Sequence, residues 1–392
     1  MELHRRNKET VIMKELRDII LAHEKAVAQN KKTALATVVK VEGSSYRRPG
    51  ARMLVTEDGD LTGAISGGCL EGSALRKARL AMFQQQNKLE IYETTDEDDG
   101  RLGIQLGCNG TVYILFEPII DKDENNPIQL IRRALQQRKR SIIATVFSPH
   151  NKQQQTGTCY FFNREEKILL NGDAVIEKDG QHLFNQQRSL VKEYEEHTVL
   201  YQFIPPPVRL VILGAGNDAQ PLAELASLLG WDIIVVDSRP VYCTPERFPG
   251  ASQVCRIKPS EVLTAVTPDE QTAVIVMTHN YNYDMSALEQ LIQSDCQYIG
   301  LLGPKKKLNK MVDEFTSRGV EINEEVLQKI YGPVGLDIGA ETSEEIALSV
   351  LAEIKSVFSK RDGSSLKDRT IEIHERVTEV AAVTLDNSVR HE

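Results

Sequence analysis

Leu210-Val211-Ile212-Leu213-Gly214-Ala215-Gly216-Asn217-Asp218-Ala219 reads as an apolar strand running into a GxGxxA turn that opens a helix. In such a turn the first glycine permits the tight bend, the second lets a phosphate approach the backbone, and the small third residue allows close helix–strand packing. The next apolar run ends in Val235-Val236-Asp237, so Asp237 follows the second glycine by about 20 residues, the spacing of a ribose-binding carboxylate. Arg239 stands beside it and keeps a phosphorylated ribose open as the alternative to a ribose hydroxyl. Further on, AVIVMTH and YIGLLG alternate with helical periods such as SEVLTAV and MSALEQLIQS. Apolar β-rich runs between helices predict βαβ units around a parallel sheet buried on both faces. Residues 208–358 are therefore expected to form a Rossmann-like, doubly wound domain, with Gly214, Gly216, Asn217 and Asp237 at a nucleotide or NAD(P) site. His279 follows the AVIVM run at the sheet's carboxyl edge, where it is either a polar or acid/base contact or a capping residue. Lys305-Lys306-Lys307 meet either an anion or solvent.

Working back, Pro205-Pro206-Pro207 cannot continue a helix or a central strand and read as a stiff linker. Residues 1–204 form an N-terminal domain in this reading, and 359–392 form a C-terminal appendage. A helix near 11–29, the strands TALATVVKVEG, ARMLVTE and TVYILFEP, and the helix LEGSALRKARLAMF give a mixed α+β fold. IIATVFS, GTCYFFN and EKILLNG add short antiparallel strands.

Within that domain Gly67-Gly68-Cys69 precedes a helix. A thiol there meets exposed N–H groups and the helix dipole, which favour the thiolate that binds metal or carries sulfur. Cys108, in Gly107-Cys108-Asn109-Gly110, is framed by glycines that either admit a bulky ligand or make a tight turn. Ser45, Arg47 and Arg48 offer a hydroxyl and guanidinium groups to an anion, or else belong to a charged surface loop.

The 392 residues exceed one ordinary core. With 41% hydrophobic and 26% charged residues the composition is globular. A net charge of −9 opposes nucleic-acid binding, which rests on phosphate neutralisation. No apolar run reaches the length of a membrane helix and the N-terminus lacks a secretory pattern, so a cytoplasmic protein is expected. The six cysteines include no CxxC pair, which argues against a disulfide framework or a structural zinc site.

Taken together, GSSYRRPGARM, GAISGGCLEG, LGCNGTVYILFEP, LVILGAGNDAQPLAELASLLGW, VIVMTHNYNYD, YIGLLGPKKK and GPVGLDIGAETSEEIALSVLAEI resemble the xanthine dehydrogenase accessory factor family, which includes accessory proteins of carbon monoxide dehydrogenase. The likeness spans about residues 12–120 and 208–356. It departs from the family pattern at Asn217, where histidine is frequent, and at Asn109 and Pro304, where glycine and serine are. The resemblance implies a chaperone that binds molybdenum cofactor (molybdopterin), supports its sulfuration with a cysteine desulfurase, and inserts it into a xanthine dehydrogenase-type molybdenum hydroxylase. Cys69 and Cys108 are then the reactive thiols and metal ligands, with Ser45, Arg47, Arg48, Gly67, Gly68, Gly214, Gly216, Asn217, Asp237 and His279 around the cofactor. Such a chaperone has no turnover of its own; the alternative is an NAD(P)-dependent oxidoreductase. A homodimer is the expected assembly.

Overall fold

The computed structural model describes residues 9–43, 45–93, 110–136, 138–151, 154–258, 261–368 and 378–380. These fall into two compact units, one of residues 15–206 with 378–380 and one of 9–14 with 207–368.

The first unit opens with helix α1 (Glu9–Ala28), from Glu15 onward. Strands β1 (Thr33–Gly43), β2 (Arg52–Thr56) and β3 (Leu61–Gly63), helix α2 (Glu71–Gln84), and strands β4 (Lys88–Glu93) and β5 (Gly110–Pro118) follow. The strands form an antiparallel sheet in the order β3-β2-β1-β5-β4. Ala74, Ala78 and Ala81 recur along one face of α2, and their small side chains bring the helix down onto Ala34, Ala36, Val38 and Met53.

A second sheet comes from helix α3 (Pro127–Gln136), strands β6 (Ser141–Phe147), β7 (Gly157–Phe162) and β8 (Lys167–Leu169), helix α4 (Ala174–Gln186), and strands β9 (Leu190–Glu193) and β10 (Thr198–Ile204). β9-β10-β6-β7-β8 are antiparallel neighbours, and a short strand at Thr378–Val380 adds in parallel beside β9. Side chains alternate across β10: Leu200 joins Val39, Leu89 and Leu115 between the sheets, while Tyr201 joins the core under α4. The unit is thus two stacked sheets with α2 outside one and α4 outside the other. Between the sheets lies a buried polar cluster. Arg52, 1% exposed, donates to Gln202 of β10, and Glu117 of β5 accepts from the Thr158 N–H of β7 at 2.6 Å. Burial depresses the Arg52 guanidinium to about 10 despite the nearby Glu117 and Glu15.

The strands expected at IIATVFS, GTCYFFN and EKILLNG are present as β6, β7 and β8. No helix was expected over Ala174–Gln186, where α4 forms with Gly180 in its middle. The glycine is there for space: a Cβ at this position would lie 2.5 Å from the Tyr160 ring. Asp173 caps the helix through the Val175 and Ile176 N–H groups. The prolines 205–207 are buried directly after β10.

The second unit contains β11 (Arg209–Leu213), α5 (Ala219–Leu228), β12 (Asp232–Val236), β13 (Gln253–Cys255), α6 (Val262–Ala265), β14 (Thr272–Val276), α7 (Tyr281–Leu291), β15 (Tyr298–Leu301), α8 (Lys305–Ser317), α9 (Glu324–Gln328), β16 (Ile330–Tyr331) and α10 (Ser343–Phe358). All six strands are parallel, in the order β13-β12-β11-β14-β15-β16. α5 and α10 cover one face and α6, α7 and α8 the other, which makes the sheet doubly wound. Strand order reverses between β11 and β14, so the crevice that receives ligands in such sheets opens at the carboxyl ends of those two strands.

Candidate functional site

In the first unit, the segment between β3 and α2 bends back on itself around Ser66. The Ser66 hydroxyl accepts the Gly68 and Leu70 N–H groups at 3.2 and 3.1 Å. The Glu71 carboxylate accepts the Ser66 N–H at 3.0 Å, the Leu70 N–H at 3.1 Å and the Ser66 hydroxyl. Ser66 and Glu71 therefore brace the loop that carries Gly67, Gly68 and Cys69. The sequence reading passed over both, although a serine and a glutamate straddling GGC at a helix start are the residue types that cap helices. Cys69 is half-buried with a free thiol, resting on the core beneath α2. Gly68 has φ +113°, and a Cβ there would meet nothing within 4 Å, so the residue before Cys69 faces open space. A Cβ on Gly67 would sit 3.5 Å from the Tyr46 ring, which brings the Ser45–Arg48 loop alongside the cysteine loop.

Ser45 and Arg48 are half-buried in that neighbouring loop. The Arg47 guanidinium is held by both carboxylate oxygens of Glu15, at 2.6 and 2.5 Å, and ties the loop to α1. Cys108 lies outside the described residues. Among the described residues no group of three or more His, Cys, Asp or Glu side chains is arranged to hold a metal ion. Two other thiols are sealed in cores. Burial pushes Cys159 up to about 12 and Cys296 up to about 11, so neither is available as thiolate near neutrality.

In the second unit, Gly214 and His279 come together at the crevice. Gly214 has φ +116°, and a Cβ there would lie 2.4 Å from the Met277 carbonyl, so only glycine lets β11 leave the sheet at this point. His279, after β14, also has a positive φ of 58° and shares a 2.7 Å hydrogen bond with Asp218 at the head of α5. The histidine thus spans the two strands at the topological switch.

Asp237 closes the turn from the side. It accepts the Ala215 N–H at 2.7 Å, the Arg239 N–H at 2.8 Å, and Arg239 Nε and Nη2 at 3.0 and 2.7 Å. Burial acts to raise its carboxyl, but the hydrogen bonds from Arg239 and the Ala215 N–H outweigh burial and leave it below the ordinary carboxylate value. Those four donors fill the acceptor sites that a ribose would need. Arg247 donates to the Ala215 carbonyl at 3.2 Å and to Asn217 Oδ1 at 3.1 Å, so the glycine turn is flanked by two guanidinium groups. Neither Ser66 and Glu71 nor Arg247 stood out in the sequence. Lys307 is half-buried and paired with the fully buried Asp284 at 2.5 Å, while Lys305 and Lys306 are exposed.

Comparison with known proteins follows the same division. Residues 210–354 match the model described as the XdhC Rossmann domain, and residues 26–93 match the XdhC and CoxI family. The chain is 32% identical over 326 residues to a probable xanthine dehydrogenase subunit of Bacillus subtilis (strain 168), covering 83% of this chain and 92% of that protein. It is 28% identical over 345 residues to the molybdenum cofactor insertion chaperone PaoD of Escherichia coli (strain K12), covering 87% and 88%. A crystal structure of a xanthine dehydrogenase from Bacillus halodurans superposes with a TM-score of 0.71 at 29% identity, over 89% of this chain and 98% of the other. With a braced cysteine loop in one unit, a glycine turn at the switch point of the other, and relatives that extend across both, the chain belongs to the XdhC and CoxI family.

Proposed function

We propose that this protein is an insertion chaperone that takes molybdenum cofactor as cargo and delivers it to a xanthine dehydrogenase-type molybdenum enzyme. The observation that carries the reading is the Cys69 loop, in which a half-buried free thiol directly follows the open Gly68 position on a frame fixed by Ser66 and Glu71. A soft sulfur ligand on a pre-shaped loop suits a molybdenum centre or the sulfur it receives. The Escherichia coli relative, a molybdenum cofactor insertion chaperone, supports a role in cofactor insertion, and the Bacillus subtilis relative, a probable xanthine dehydrogenase subunit, supports a xanthine dehydrogenase-type client. Ser45, Gly67 and Gly68 line the cargo side in this reading, with Cys108 as a second thiol. Sulfuration of the cargo by a cysteine desulfurase, a homodimeric assembly and action in the cytoplasm complete the proposal. No described helix is long and apolar enough to cross a membrane.

The second unit contributes a nucleotide-class site built on Gly214, Gly216, Asn217 and His279. The test of the cargo reading is retention of isolated molybdenum cofactor by the full chain. Cys69→Ser is expected to release the cofactor faster while leaving the melting curve unchanged. Equal retention by wild type, Cys69→Ser and the Cys69→Ser/Cys108→Ser double variant rejects the thiol mechanism.

A further inference from the structure

Beyond the glycine turn of the second unit lies an open cleft of about 680 Å³, bordered by Ser238 after β12, Arg256 and Lys258 after β13, and Asn282, Tyr283 and Ser286 in the first turns of α7. Ser238 adjoins Asp237, whose carboxylate holds the Ala215 N–H, so the cleft and the glycine turn share a border.

Its charge distinguishes this cleft from the other cationic positions near the crevice. Arg239 is committed to Asp237, Arg247 to Ala215 and Asn217, and Lys307 to Asp284. Arg256 and Lys258 have no ion-pair partner among the described residues. The one carboxylate on the wall, Glu261, turns back to accept the Lys258 backbone N–H at 3.5 Å. Two unpaired cations on one opening of a chain with net charge −9 mark a place where an anion gains attraction. Ser238, Asn282 and Ser286 add neutral hydrogen-bonding groups, and Tyr283, 41% exposed, adds a ring face for a planar group.

Asp237 itself is already saturated. A carboxylate at this place ordinarily takes the hydroxyls of a nucleotide's ribose, but here its acceptor sites are filled from within the protein. Recognition of the nucleoside end therefore passes to the neighbouring cleft, whose free groups select an anion over a hydroxyl. We propose that the Arg256–Lys258 cleft binds the nucleoside end of a nucleotide whose ribose carries its own phosphomonoester, with Tyr283 against the base and the chain-linking phosphate toward the glycine turn. This rests on the nucleotide-site reading of the second unit and is independent of the Cys69 cargo reading.

The experiment is calorimetric titration of the full chain with 2′,5′-ADP, AMP, adenosine and inorganic phosphate. 2′,5′-ADP is expected to bind about tenfold or more tightly than AMP, with affinity falling as salt rises, because exposed charges are screened. The Arg256→Ala/Lys258→Ala variant is expected to lose that preference and bind both nucleotides alike, with an unchanged melting curve. Gly216→Val, which crowds the turn and leaves the cleft intact, is expected to weaken AMP and 2′,5′-ADP by the same factor. Equal wild-type affinity for the two nucleotides, a preference that survives in the double variant, or no binding of either overturns the proposal. Cofactor retention, measured in parallel, reports on the chaperone reading separately. A double variant that still retains the cofactor leaves that reading standing, and a wild type that binds 2′,5′-ADP but retains no cofactor defeats the chaperone reading alone.

Discussion

Glu71 is one carboxylate with three bonding tasks at the head of α2, gathering the Ser66 N–H, the Ser66 hydroxyl and the Leu70 N–H. Hydrogen bonds to a charged acceptor contribute about 1.5–3 kcal/mol each when the alternative is an unmet donor. Glu71→Gln is therefore expected to lower stability by about 1–3 kcal/mol and to loosen the loop around Cys69. The check is the rate of iodoacetamide alkylation at Cys69, which should rise several-fold; an unchanged rate would show that Ser66 alone fixes the loop. Gly214 poses the converse case, where absence of a side chain is the requirement. Gly214→Ala combines a left-handed backbone with a Cβ 2.4 Å from the Met277 carbonyl. Backbone strain of that kind costs about 1–3 kcal/mol, and the forced separation of β11 and β14 adds to it, so the variant should show a clear drop in urea midpoint.

At the scale of elements, the turn after β12 couples acid titration to the integrity of the glycine turn. The Asp237 carboxyl is lowered in the folded protein, so its stabilising effect is present above the unfolded value of 3.8 and is lost as pH falls through the lower folded value. The melting temperature of wild type should thus fall more steeply in that acid range than that of Asp237→Asn, measured by differential scanning fluorimetry across the same buffers. Parallel curves for the two would place the acid sensitivity elsewhere. The buried cluster between the sheets is a second element-scale device. Arg52→Ala leaves the buried Gln202 acceptor unmet and takes away a cation that favours the Glu117 carboxylate, a change that costs about 1–3 kcal/mol; chemical denaturation measures it directly. What the sequence disclosed and what it hid follow from the same physics. β11, β12, β14 and β15 were legible because strands buried on both faces are apolar along their whole length. α4 was not: the glycine in its middle, Gly180, is explained only by the Tyr160 ring of β7, which packs on it from elsewhere in the chain. The same holds at the site: Gly214 and Cys69 announce themselves in local patterns, whereas the Arg239 bonds that fill Asp237 appear only in three dimensions.

Across the whole molecule, each of the two units has its own sheets and its own cores, and among the described residues each holds one fully buried cysteine. Cys159 is sealed beneath α4 in the first unit, and Cys296 is 0% exposed in the second, where its thiol donates to the Thr272 and Tyr298 carbonyls. With burial holding both thiols far above neutrality, a labelling reagent reaches either one only when the surrounding core opens. The protein therefore contains a natural stopwatch in each half. Pulsed alkylation along a denaturant gradient, read by peptide mass, should date the opening of the two halves separately and reveal whether cargo or nucleotide delays one, the other, or both.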